Sequence, residues 1–150
     1  MSAKILVIIC ILIALGTYVF LRRPQTQSNI IIINNHQFEI EYARTNAEIE
    51  HGLSGRTSLD QNRGMIFLFS QKALYRFWMK DMHFPLDMIW IDNDIIVDIS
   101  ANVPTPQNPD LSQLPTYSPR QPADKVLEIN AGLAQKYSFQ IGDKIVFPGN

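Results

Sequence analysis

The stretch Asp87–Ile99, which reads DMIWIDNDIIVDI, decides the fold of this 150-residue chain. It contains two apolar runs, Asp87–Ile91 and Ile95–Ile99, and both have the length of a β-strand. Between them lies Asp92-Asn93-Asp94, whose residue types are typical of tight turns. The stretch therefore predicts an antiparallel β-hairpin.

Further strands are predicted on both sides of this hairpin. His36–Tyr42 alternates apolar with polar residues, which is the period of a half-buried strand. Asn34-Asn35 precedes it and suits a tight turn, because asparagine tolerates the positive φ that such turns require. Gly64–Phe69 is wholly apolar and predicts a strand buried on both faces. The remaining predicted strands are Ile30–Ile33, Tyr75–Lys80, Val126–Ile129 and Lys144–Phe147.

Two short helices are predicted between these strands. Thr45-Asn46-Ala47-Glu48 is a capping box, which predicts a helix that ends near His51 and Gly52. The second helix is predicted over Ala131–Tyr137. Many short strands with two short helices predict a mainly β, α+β fold, namely a small and mostly antiparallel β-barrel.

The segment Ala101–Pro122 is predicted to be irregular. It holds six of the nine prolines, and neither strands nor helices tolerate that density. A loop of this length inside a compact domain is usually functional or disordered.

The apolar segment Ile5–Leu21 predicts a membrane helix before the domain, because its length is near the lower limit for crossing a bilayer. An uncleaved signal anchor is favoured. The alternative is a signal peptide cleaved near Ala14-Leu15-Gly16, after which the domain would be secreted. The predicted organisation is a membrane segment 1–23, a linker 24–29 and a soluble domain 30–150. We expect a single-pass anchor in the cell membrane with the domain in the periplasm or outside the cell, although the flanking charges Lys4 and Arg22-Arg23 balance.

The charge distribution argues against nucleic acid as a partner. All 14 acids follow the apolar segment, against ten bases once Lys4, Arg22 and Arg23 are set aside, so the domain carries a formal charge of −4. Nucleic-acid binding usually requires a basic face. The single cysteine, Cys10, lies in the apolar segment, so the domain cannot form a disulfide.

The first candidate site surrounds Trp78. Arg76 and Lys80 share its strand face, so the three side chains could stack a ring and bind an anionic group. Asp81 and Asp87 could orient Lys80. The alternative is that the two cationic stems simply pack over a partly buried tryptophan.

Two other constellations are weaker. Arg56 could donate to a carboxylate near Asp87, either as a structural ion pair or as a clamp on a ligand. Met79, Met82 and His83 have the soft ligands that suit Cu(I), but Met79 is predicted to point into the core, where methionine commonly fills gaps. No cofactor motif is present, so no cofactor is expected.

Several spaced motifs carry a family resemblance. They are Gly52-Leu53-x-x-Arg56, Arg63-Gly64-Met65-x-Phe67-x-Phe69, Phe77-Trp78-Met79-Lys80, Pro85-Leu86-Asp87, Val126-Leu127-Glu128, Ala131-Gly132 and Gly142-Asp143. In this order they resemble the DUF192 family, also called UPF0127, from about Ile31 to Phe147. The resemblance implies a compact β-rich barrel in a small bacterial or archaeal protein, with no assigned activity. The family commonly has Asn-Thr after the Lys80 position, whereas this chain has Asp81-Met82.

We therefore expect a membrane-anchored, extracytoplasmic domain that binds a small ligand or an envelope protein, and binding is favoured over catalysis. The candidate ligand-binding residues are Arg56, Arg76, Trp78, Lys80, Asp81, Asp87 and Glu128. One alternative is an enzyme that acts on envelope carbohydrate through two of the carboxylates Asp81, Asp87 and Glu128. The other is a copper-binding periplasmic protein.

Overall fold

The computed structural model describes residues 29–107 and 110–148. The predicted membrane segment 1–23 and all but the last residue of the predicted linker 24–29 lie outside the described residues. The described helices are α1 (Asn46–His51) and α2 (Leu133–Lys136), with one 3-10 turn at Leu111–Gln113. The described strands are β1 (Ile30–Ile33), β2 (His36–Ala43), β3 (Arg63–Ala73), β4 (Phe77–Trp78), β5 (Leu86–Asp92), β6 (Ile95–Val103), β7 (Thr116–Tyr117), β8 (Ala123–Asn130) and β9 (Ile145–Val146).

Seven strands form one sheet in the order β6-β5-β8-β3-β2-β1-β9, and β4 pairs with β7 in a separate ribbon. Neighbouring strands are antiparallel except β2 and β3, which run parallel. Parallel pairing requires a long crossover, and the segment between these two strands contains α1 and its following loop. This crossover places α1 against one face of the sheet.

The sheet curls until its two ends meet. Ile95 in β6 forms a bridge with Lys144, just before β9. The Ile96 amide donates to the Asp143 carbonyl at 2.9 Å, and the Ile145 amide donates to the Asp94 carbonyl at 2.8 Å. The fold is thus mainly β, with two short helices as predicted, and its sheet is a half-barrel joined by this short bridge.

Each face of the sheet carries its own hydrophobic core. The α2-side core contains Phe38, Ile89, Leu127 and Leu133, and the α1-side core contains residues from the opposite faces of the same strands. The alternation of side chains along a strand produces this division. The main members of the α1-side core are Leu53, Met65, Phe67, Phe77, Met79, Met82, Met88, Trp90 and Val126.

The local sequence signals at the first hairpin and first helix are confirmed. Asn34 and Asn35 have φ of 46° and 66°, as the tight turn requires. Thr45 and Glu48 form the capping box, and Gly52 ends α1 with φ of 51°. The hairpin from Asp87 to Ile99 is also present, because β5 pairs antiparallel with β6.

The prediction that Ala101–Pro122 contains no strand is wrong. Strand β6 continues to Val103, and β7 lies within the segment. Farther along, the Arg120 guanidinium donates to the buried Asp98 carboxylate at 2.6 Å, and the Arg120 amide donates to the same group at 2.8 Å. These bonds attach the proline-rich segment to β6.

The predicted strand Tyr75–Lys80 is also too long. Only Phe77 and Trp78 pair in it, with Tyr117 and Thr116 of β7. Its alternation is nevertheless correct, because Phe77 is buried and Trp78 is exposed. None of the helices in residues 29–107 and 110–148 combines the length and apolarity of a membrane span.

Candidate functional site

Helix α1 and the loop that follows it form one wall of a cleft over the α1-side core. Leu53 is buried, with 1% of its surface exposed, and holds this loop against the sheet. Gly52 allows the close approach, because a Cβ atom there would lie 3.2 Å from Cζ of Phe67. Its positive φ is a second reason for glycine at this position.

The turn Lys80-Asp81 forms the adjoining part of the cleft and is bonded to the same loop. The Ser54 hydroxyl donates to the Lys80 carbonyl at 2.9 Å. The Gly55 amide donates to the Asp81 carbonyl, also at 2.9 Å. Asp81 has φ of 53°, which an aspartate tolerates better than most residues. The two walls are therefore held together by one side-chain and one backbone hydrogen bond.

The ribbon of β4 and β7 presents Trp78 at the mouth of the cleft. Phe77 anchors the ribbon to the sheet, because its ring meets that of Phe67 edge to face at 4.9 Å and that of Trp90 at 5.5 Å. Trp78 points the other way and keeps 40% of its surface exposed. Lys80 Nζ lies 5.7 Å from the centre of the Trp78 ring, within the range of a cation–π contact.

Two spaces adjoin these walls, an open cavity and a narrow cleft. The open cavity measures about 460 Å³, and the narrow cleft about 30 Å³. They share Glu50, His51 and Ser54. The other residues of the open cavity are Ala47, Gly55, Lys80 and Asp81. The other residues of the narrow cleft are Ile49, Gly52, Leu53, Phe67, Phe77, Trp78, Met82 and Glu128.

Glu128 forms the floor of the narrow cleft. It lies in β8 opposite Met65 of β3 and Met88 of β5, so its side chain joins theirs on the α1-side face. Only 5% of the residue is exposed, and no group among the described residues donates a hydrogen bond to its carboxyl. Burial raises the pKa of Glu128 from 4.5 to about 8. Glu128 is therefore a buried and mostly neutral acid at pH 7.

The structure brings together four of the seven predicted site residues. Trp78 and Glu128 line the narrow cleft, and Lys80 and Asp81 line the open cavity beside it. Arg76 is exposed on the surface and lines neither space.

Arg56 forms a structural ion pair, which is one of the two roles predicted for it, but the predicted partner near Asp87 is wrong. Its guanidinium forms a bidentate pair with Glu41 of β2, with distances of 2.7 and 2.8 Å. This hydrogen bond holds the pKa of Glu41 below its usual value. Arg56 thereby attaches the loop after α1 to the sheet. The sequence contains several acids that could have been its partner, so the pair with Glu41 could not be predicted.

Asp87 is fully buried and does not orient Lys80, contrary to the prediction. Its carboxylate accepts from the Asn102 amide at 2.7 Å and from the Ala134 amide at 2.8 Å. It lies next to Met88 on the strand and so points to the opposite face from Glu128. Its two oxygens hold the start of α2 and the end of β6.

The three residues of the alternative copper site differ in burial, because the two methionines are buried and the histidine is exposed. Met79 and Met82 belong to the α1-side core, with 1% and 7% of their surfaces exposed, and the core position of Met79 is as predicted. His83 is exposed. Within the part of the chain that the structure describes, no cluster of three or more His, Cys, Asp or Glu residues could hold a metal ion.

Sequence reasoning did not assign the α1 wall to the site. Glu50, His51 and Ser54 lie 24 to 28 residues before Trp78 in sequence, and the crossover between β2 and β3 brings them to it. A usable signal was present at Glu128, because an acid within the apolar run Val126–Ile129 requires an unusual environment.

A second apolar pocket of about 270 Å³ lies between the ribbon and the proline-rich segment. It is lined by Met79, Pro104, Thr105, Pro106, Gln107, Gln113, Leu114, Pro115 and Tyr117. No charged side chain lines it, so it offers packing surface but no strong polar recognition.

Comparison with known proteins gives a family and two similar solved structures. The model of the family DUF192, described as "Uncharacterized ACR", matches residues 29–147. A protein of unknown function from Novosphingobium aromaticivorans DSM 12444 is 34% identical, with a TM-score of 0.70 over 78% of this chain and 83% of that one. A "putative transcription regulator" from Sinorhizobium meliloti 1021 is 28% identical, with a TM-score of 0.69 over 81% of this chain and 92% of that one. No curated protein matches significantly.

Proposed function

This chain belongs to the DUF192 family, whose activity is uncharacterised, and we propose that its domain is a binding module with its site in the cleft above Glu128. The observation that carries the proposal is the state of this side chain. The Glu128 carboxyl is almost enclosed, and burying a carboxyl costs folding free energy, by roughly 1–3 kcal/mol on mutational scales. A ligand that donates to its oxygens in place of water would offset that cost on binding.

The surroundings of Glu128 support a recognition role. Concave sites usually combine apolar walls with a few convergent polar groups. Here Phe77 and Trp78 supply aromatic walls, Glu128 supplies the polar floor, and Lys80 stands at the rim. Acids with strongly raised pKa in clefts are also common at functional sites.

The location of the module is part of the proposal. We propose that residues 5–21 anchor the chain in the cell membrane and that the domain faces the periplasm or the exterior. The support is the apolar run with flanking bases and a linker of about six residues before β1. Extraction of cell membranes with carbonate should leave the full-length protein in the pellet, and a chain starting at residue 24 should be soluble.

A carbohydrate-cleaving enzyme fits the cleft less well. General-acid catalysis would suit a protonated Glu128, and Asp81 lines the neighbouring cavity. However, the cleft over Glu128 is narrow, with about 30 Å³, whereas Asp81 lines the separate cavity of about 460 Å³. Asp87 is also unavailable, because backbone amides bind both of its oxygens.

The binding proposal can be tested by screening small polar fragments against the full-length protein with ligand-observed NMR. We expect hits whose signals are lost with Trp78→Ala and retained with Leu74→Ala. The second variant is the matched control, since Leu74 is another exposed apolar residue and does not line the cleft. Hits that bind both variants equally, or a complete lack of hits, would contradict the proposed site.

A further inference from the structure

The size of the narrow cleft restricts what can reach Glu128. A volume of about 30 Å³ corresponds to roughly two water-sized groups. A ligand must therefore present a slim end to the floor, and the open cavity of about 460 Å³, which shares Glu50, His51 and Ser54 with the cleft, offers room for its bulk.

The walls of the cleft favour a positive charge at that slim end. Phe67, Phe77 and Trp78 line it, and aromatic rings attract cations through their negative faces. Glu128 offers two acceptor oxygens without a donor partner among the described residues. An acceptor pair beneath aromatic walls is complementary to a group that carries several N–H donors and a charge.

The charges at the rim point in the same direction. Glu50 and Asp81 are acidic, and Lys80 is the one Lys or Arg residue in the lining of the two described spaces. The domain as a whole carries a formal charge of −4. Its field therefore attracts cations, in contrast to the anionic ligand that Arg76 and Lys80 suggested in the sequence.

On the basis of the binding function proposed above, we propose that the cleft receives a primary ammonium group at the end of a slim alkyl chain, which forms an ion pair with the carboxylate of Glu128. The ammonium group brings three donors in a compact shape on a slim alkyl stem. The chemical class includes alkylamines and the side chain of lysine. The remainder of the ligand lies in the open cavity.

Binding of this group is coupled to a proton. The neutral Glu128 carboxyl loses its O–H proton to solvent, and the resulting carboxylate accepts hydrogen bonds from the ammonium, whose own protons stay on nitrogen. In the folded protein without ligand, the pKa of Glu128 is about 8. About 0.9 proton should therefore be released per bound ligand at pH 7. Affinity should then rise about tenfold from pH 6 to pH 7 and level off above pH 8.

Other charged groups face the same space and have to be separated from Glu128. The residues that β3, β4 and β5 place around the carboxyl have no titratable side chain. They are Met65, Phe67, Phe77, Trp78 and Met88. The charged or titratable side chains are Glu50 and His51 from α1, with Lys80 and Asp81 from the turn after β4. His51 is the one imidazole in the lining of both spaces, so His51→Gln serves as the control for that side chain.

The test is a titration of the full-length protein with n-butylammonium chloride, followed by NMR shifts of backbone amides at pH 6, 7 and 8. We expect saturable shifts around Glu128 and Trp78, with about tenfold tighter binding at pH 7 than at pH 6. Glu128→Gln should weaken binding at least tenfold and remove this pH dependence. Glu39→Gln, an exposed acid on β2, should leave both unchanged, and His51→Gln should keep the pH dependence.

The neutral probe 1-butanol separates this inference from the binding function itself. If 1-butanol binds as tightly as n-butylammonium, or if Glu128→Gln binds both unchanged, the ammonium class is wrong but the cleft remains a binding site. If the amine fails while fragments of another class still require Trp78, the same conclusion holds. If no compound shifts the resonances of the cleft, both proposals are wrong.

Discussion

Replacing Glu128 with glutamine should remove a large pH dependence from the stability of the domain. The pKa of this carboxyl rises from 4.5 to about 8 through burial. Between these values the folded chain holds one proton more than the unfolded chain, so unfolding releases a proton. The free energy of unfolding therefore decreases as pH rises, by up to about 1.4 kcal/mol per pH unit. The contribution is complete below pH 4.5 and lost as pH passes through 8.

The magnitude follows from the same two pKa values. Between pH 5 and pH 8 the wild-type protein should lose about 3–4 kcal/mol through this group alone. Glutamine has the shape of the neutral acid and does not ionise, so the Glu128→Gln variant should lack this loss. The variant should accordingly match the wild type near pH 5 and exceed it by about 3 kcal/mol near pH 8.

Urea denaturation of both proteins at pH 5, 6, 7 and 8 measures this difference. With a slope of about 1.5–2 kcal/mol per molar urea, the two midpoints should separate by roughly 2 M between pH 5 and pH 8. Glu39→Gln is the matched control and should follow the wild type. Parallel curves for wild type and Glu128→Gln would refute the reasoning, since they would mean that folding does not perturb the ionisation of Glu128.

Three further substitutions test the supporting contacts, each by urea denaturation at pH 7. Asp87→Ala should cost about 2–5 kcal/mol because two amides lose their acceptor, while Asp87→Asn should cost less because it keeps one oxygen; equal costs would contradict this. Gly64→Ala should cost about 1–3 kcal/mol, since its Cβ would lie 2.8 Å from the Glu128 carbonyl oxygen, and an unchanged midpoint would show that the strands can separate. Arg56→Ala should cost only about 0.2–1 kcal/mol, because Arg56 and Glu41 are 34% and 35% exposed; a loss above 2 kcal/mol would point to further packing.

Part of the fold could be predicted because short-range chemistry specifies it. The asparagines at the first hairpin, the capping box at Thr45 and the glycine at the end of α1 each act over a few residues. The extension of β6 to Val103 and the pairing of β7 with β4 were missed, because a partner strand far along the chain stabilises them. Proline density indicated the irregular segment but not its attachment through Arg120 and Asp98.

The candidate site shows the same limit. Trp78 and Lys80 could be paired from their alternation on one strand, and their rim position agrees with it. The partners of Arg56 and Asp87 could not be predicted, because the sequence offers several for each. In the fold, Arg56 pairs with Glu41, and Asp87 accepts from two backbone amides. The position of the α1 wall depends on the parallel pairing of β2 with β3. No local sequence pattern predicts that pairing.

By itself, the sequence determined a mainly β domain with two short helices, the apolar segment before it and the family to which it belongs. These follow from periodicity, turn chemistry and motif order, all of which are properties of neighbouring residues. Only the tertiary structure decided that Glu128 lies under α1 while Asp87 points to the opposite face. The physical reason is that the pKa of an acid depends on what surrounds it, and strands far apart in sequence supply those surroundings.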